Sequence, residues 1–175
     1  MFLQDHARRA SIASLIHRAL PGLSFRTRAL VDALLLTGGG VGTAGPIASH
    51  LGLRSRFQLA ALLHAEGLPS LHRLSGWMTV LRWTWEWKHE ATSLCRAALR
   101  TGKEPATNYR LVKRITGVPW VKVRAAGVDW VLARFLDECS FTNLQHPSVP
   151  HPVWRATAPP WIDRAPMTRN CTRSA

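Results

Sequence analysis

One pattern occurs twice in this chain, fifty residues apart, and it constrains the fold more than any other feature. Thr43, Ala44, Ala48, Gly52, Leu59, Leu62, Gly67 and Pro69 recur in kind as Ser93, Leu94, Ala98, Gly102, Tyr109, Val112, Gly117 and Pro119. Each set opens on a hydroxyl residue suited to cap a helix, places an alanine where two helices would cross, and follows it with a glycine able to take the left-handed backbone of a tight turn. A second helix with inward apolar positions comes next, closed by another glycine and a proline. The pattern predicts two helix-turn-helix units in an all-α chain.

The remaining segments also carry helical periodicity. Leu15, Ile16, Ala19 and Leu20 form a stripe that stops at Pro21 and Gly22, and a helix from about Phe25 to Leu36 sets Leu30, Ala33, Leu34 and Thr37 on one face. Between the units, Leu71 to about Glu90 spaces Leu74, Trp77, Met78, Leu81 and Trp85 as a linker helix would. A last helix from Trp120 to about Cys139 offers Trp120, Val123, Trp130, Val131 and Phe135. The expected organisation is an N-terminal helix and linker over residues 1–24, a double helix-turn-helix domain over 25–139, and a tail over 140–175. That tail, with Pro147, Pro150, Pro152, Pro159, Pro160 and Pro166 among arginines and threonines, is expected to be disordered.

Charge narrows the partners. Lys and Arg number 23 against 10 Asp and Glu, and the net charge of +13 is carried mostly by arginine. Arginine forks suit phosphate, so nucleic acid ranks ahead of an anionic membrane surface. Cys95, Cys139 and Cys171 are odd in number and widely spaced, which supports neither a disulfide framework nor a zinc knuckle and points to a reducing, cytoplasmic setting. The sequence holds no run of eighteen apolar residues and no apolar signal-peptide core, so neither secretion nor membrane spanning is indicated, and no membrane is counted among the expected partners.

Several other chemistries fail on context. Gly40-Val41-Gly42-Thr43-Ala44-Gly45 satisfies a dinucleotide-binding G-x-G-x-x-G, but the segment before it has helical rather than strand periodicity. Trp83, Trp85 and Trp87 alternate as a stacking row for single-stranded bases would, yet on a helix Trp83 and Trp87 fall on one side and Trp85 on another. That suits a linker gripped from two sides. No His-x3-His pair, nucleophile elbow or acid/base pair is legible, and Asp129, Asp137 and Glu138 read as solvated charge on one helix surface. Neither an enzyme, nor a cofactor, nor a metal is expected.

From about Phe25 to Asp137 the two-unit pattern resembles the C-terminal DNA-binding region of AraC/XylS-type transcriptional regulators, two helix-turn-helix subdomains joined by a linker helix. The most specific marks are Ala48 with Gly52, Ala98 with Gly102, the closing Gly67-Leu68-Pro69 and Gly117-Val118-Pro119, and the linker length. Lys103-Glu104-Pro105 departs from the aromatic-Ser-Ser stretch common in the second unit. A linker of about 20 residues at ~1.5 Å each spans about 30 Å, near the ~34 Å between successive major grooves on one face of B-form DNA.

The resemblance implies sequence-specific binding of double-stranded DNA in transcription regulation, without a ligand-sensing domain and with RNA polymerase as a further candidate partner. It places the second helix of each unit in a major groove. In the first unit that helix starts near Ser55, leaving Arg54, Ser55, Arg56, Gln58, Ala60 and His64 as groove candidates while Leu59, Leu62 and Leu63 stay inside. In the second, Pro105 suits the first helical position, Thr107, Asn108, Arg110, Lys113 and Arg114 are the candidates, and Tyr109 and Val112 pack. Gln58 and Asn108 occupy equivalent places as carboxamides that can read adenine. The alternative from another class is a non-specific nucleic-acid-binding or protein-interaction module.

Overall fold

The computed structural model describes residues 12–40, 42–100, 102 and 104–144; the expected tail beyond residue 144 and the first eleven residues lie outside the described residues. Eight helices and no strand occur among the described residues. They are α1 (residues 12–19), α2 (Phe25–Thr37), α3 (Ala44–His50), α4 (Arg56–Ala65), α5 (Leu71–Glu90), α6 (Leu94–Arg100), α7 (Pro105–Thr116) and α8 (Trp120–Leu144). The chain is all-α, as its periodicity predicts.

Local chemistry fixes most of the helix ends. Ser24 caps α2 by accepting from the Thr27 amide at 3.4 Å. At the other end Gly38 takes φ 66°, and the Gly39 amide returns to Leu34 O at 2.7 Å, satisfying a carbonyl the helix would otherwise leave open. The linker helix α5 has the bounds its apolar spacing predicts, and it ends on Ala91 with φ 50°. The last helix differs from expectation in two ways. Gly127, at φ 83° and ψ −178°, interrupts it with a bend, and it continues past Cys139 to Leu144, into the segment assigned to the tail. A proline-free stretch simply lets the helix run on.

The core gathers around α5. Leu74, Met78, Val80 and Leu81 of α5 are fully buried, and the helix packs against α2, α6, α7 and α8. α3 packs on α4, and α6 on α7. Trp77 meets Phe135 of α8 with ring centroids 6.1 Å apart and a tilt of 51°, a geometry that adds roughly 0.5–1.5 kcal/mol beyond the area it buries.

A polar clamp fastens the same contact. Arg73 grips Glu138 with two nitrogens, Nε to Oε1 and Nη2 to Oε2, the second at 2.8 Å, and the buried Trp77 Nε1 donates to Oε2 at 2.9 Å. Arg73 also donates to the Arg114 and Ile115 carbonyls, each at 3.4 Å, so one guanidinium ties α5 to the last turn of α7 as well as to α8. The hydrogen bonds that Arg73 donates to the Glu138 carboxylate raise its pKa. Glu138 is therefore not the solvated charge that its position on a helix surface suggested; the sequence shows its helical phase but not the tryptophan and arginine that meet it.

Candidate nucleic-acid interface

In the first unit, Ala48 is 1 % exposed, where its missing bulk lets α3 and α4 approach. Gly52 follows at φ 69°, and the Leu53 amide returns to Ala48 O at 2.8 Å, closing the turn. The start of α4 is set by a reciprocal cap: Ser55 Oγ accepts from the Gln58 amide at 3.3 Å, while Gln58 Oε1 accepts from the Arg54 amide at 2.7 Å. Both Ser55 and Gln58 thus spend polar atoms on the helix terminus. The oxygen that a two-point adenine contact requires of Gln58 is already accepting.

Arg54, Arg56, Gln58, Ala60 and His64 are exposed, as expected, with Leu59 and Leu63 buried and Leu62 half-buried. One residue that the hydrophobic pattern gave no reason to single out joins this face. Phe57 is 71 % exposed, with the Arg56 guanidinium 5.0 Å from its ring centroid. An exposed aromatic beside arginine on the second helix is the signal that a search restricted to polar residues passes over.

The second unit repeats the construction with a shift. Ser93 Oγ accepts from the Arg96 amide at 3.1 Å, Ala98 is fully buried, and Gly102 turns the chain at φ 64°. Pro105 opens α7, which closes on Gly117 at φ 78°. Thr107, Arg110, Lys113 and Arg114 are exposed. Asn108 is not: it is 2 % exposed, and its Nδ2 has no hydrogen-bond partner among the described residues. Tyr109, expected to pack, is 43 % exposed.

The cause is a change of register. The turn after Gly102 is one residue shorter than the turn after Gly52, so α7 begins one residue earlier than the repeat implies. Counted from the helix starts, Thr107 matches Gln58, while Asn108 takes the inward place of Leu59 and Val112 that of Leu63. A carboxamide has been set where the first unit buries a leucine. Asn108 is corrected from a groove residue to a buried one.

The other motifs resolve in the same terms. The glycine run follows helix α2, not the strand a dinucleotide fingerprint needs, and Gly39, just before it, is docked on α5. Ser75 Oγ donates to Gly39 O at 2.7 Å, and a Cβ on Gly39 would lie 2.2 Å from Thr79 Oγ1. Trp83 is buried, Trp85 faces the His89 ring at 4.2 Å, and Arg124 of α8 lies 5.0 Å from the centroid of Trp87. The three tryptophans form no common stacking face. No described helix is long and apolar enough to cross a membrane, and no group of three or more metal-ligating side chains is gathered among the described residues.

No protein-family model matches the chain, and no curated protein or solved structure matches it either.

Proposed function

We propose that this chain binds double-stranded DNA through α4 and α7, acting as a transcriptional regulator that resembles the DNA-binding region of the AraC/XylS type. The observation that carries the reading is the paired construction: two helix pairs, each turned by a glycine at positive φ, each presenting arginine on the outer face of its second helix. On α4, Arg56 reaches guanine edges or phosphate and Phe57 offers apolar contact to thymine methyl groups, with Arg54 at the helix start directed to the backbone. On α7, Thr107, Arg110 and Arg114 face the groove and Lys113 neutralises a phosphate. Ser55 and Gln58 shape the first of these helices more than they read bases. Such a regulator works in a cytoplasm, alongside RNA polymerase.

Selection of bound duplexes from a random pool by the full chain tests this. Enrichment of a consensus with two half-sites about one helical turn apart supports the regulator reading. Retention of the pool without enrichment would identify a non-specific nucleic-acid binder, and no retention at all would leave the protein-interaction reading.

A further inference from the structure

A cleft of about 470 Å³ opens between α7, α5 and the Gly38–Gly40 stretch. That volume lies within the ~300–1,000 Å³ typical of small-molecule pockets. Its wall is built for close approach. Gly38 and Gly39, at φ 66° and 84°, pack against α5, and Gly76 admits α7 so closely that a Cβ there would meet Ile115 Cδ1 at 2.4 Å.

The polar groups around the cleft are unbalanced. Arg110, Arg114 and His72 are exposed and form its rim, and no described lining residue is acidic. The Ser75 and Thr79 hydroxyls are already committed, donating to the Gly39 and Ser75 carbonyls at 2.7 and 2.8 Å. Asn108 is the most buried polar side chain of the lining, at 2 % exposure, and its Nδ2 has no partner among the described residues. An unmade hydrogen bond at a buried amide is costly, and a protein keeps one chiefly where something else supplies the partner.

We propose that this cleft binds a small phosphorylated or carboxylated molecule, its anionic group held by Arg110 and Arg114 and an acceptor atom taking the open Asn108 amide. Arginine forks match both anions. Asn108, Arg110 and Arg114 line the one cleft, so a molecule that fills it lies against all three. The proposal does not rest on the DNA-binding reading, although both draw on Arg110 and Arg114.

Phenyl phosphate serves as the probe, with phenol as its uncharged counterpart. The full chain, labelled with ¹⁵N at glycine and asparagine, is titrated with each and followed by NMR. Expected are saturable shifts of the Asn108 side-chain amide and the Gly38–Gly40 backbone amides with phenyl phosphate only. Asn108→Asp, which sets a like charge against the anion, weakens binding about tenfold or more. Gly40→Phe is the second variant, because Gly40 is exposed, lies outside the positive-φ set and has nothing nearer than 3.5 Å to the place a Cβ would take, so a side chain there narrows the cleft without backbone strain. Gly40→Phe should abolish the shifts of the remaining reporter amides while the other resonances stay in place. Absence of saturable shifts, or shifts that survive Gly40→Phe and Asn108→Asp alike, overturns the proposal. So does a short duplex that moves the Asn108 amide when phenyl phosphate and inorganic phosphate do not, since the occupant is then a backbone phosphate.

Discussion

Arg110 and Lys113 are both exposed on α7, three residues apart, yet the proposed interface assigns them different work. Replacing Arg110 with Ala should cost ~1 to 3 kcal/mol of duplex affinity and relax preference in one half of the selected site, as loss of a base contact does. Lys113→Ala should instead weaken all duplexes alike and make the logarithmic salt dependence shallower by ~1. Fluorescence anisotropy over a salt series measures both, and equal, sequence-blind weakening by the two substitutions would remove the base-reading role. Cys95 and Cys139 differ just as sharply. Burial, aided by the neighbouring Glu138 charge, pushes the Cys139 thiol well above its ordinary pKa, while Cys95 is exposed. Because the thiolate is the reactive form, iodoacetamide should modify Cys95 in the native chain and reach Cys139 only in denaturant. Peptide mass spectrometry before and after unfolding checks this, and native labelling of Cys139 would contradict its burial.

At the scale of elements, the two turns carry the most specific expectation. Among the described residues, neither Gly52 nor Gly102 has a neighbour closer than 3.9 Å to the place a Cβ would take, so the cost of a side chain there lies in the backbone itself. Left-handed geometry at a β-branched residue costs about 1–2 kcal/mol, so Gly52→Val and Gly102→Val should each lower the urea midpoint accordingly and misplace the second helix of the unit. Wild-type stability and duplex affinity in both variants would show that the turns are not held as described. These turns were legible because their signal is local: a glycine between two periodic runs predicts its own conformation. The bounds of α5 were legible for the same reason. The outward face of α7 was only partly so, because one residue fewer after Gly102 rotates the whole helix, turning Asn108 in and Tyr109 out. Spacing between apolar residues does not reveal that slip when a polar residue occupies the buried place.

Across the whole molecule, α5 is the member that joins the second unit and α8 into one core, and Arg73 with Glu138 forms its polar fastening. Nothing in the sequence pairs these two residues, which stand 65 positions apart. Glu138→Ala should cost ~1–3 kcal/mol in equilibrium urea unfolding, because Trp77 Nε1 then loses its acceptor in a buried setting. Glu138→Gln, which keeps an oxygen for that donor, should cost less. Equal losses would mean that the carboxylate charge, rather than the tryptophan contact, is what the core requires.

The central claim is that α4 and α7 act together on one duplex, their spacing set by the helix between them. Inserting five base pairs, about half of the ~10.5-base-pair turn, between the two half-sites of a selected duplex rotates one half-site to the opposite side of the DNA. If both units engage at once, affinity should fall by about tenfold or more, toward that of a single half-site, because the second contact is lost with its geometry. Undiminished affinity for the expanded duplex would contradict the account.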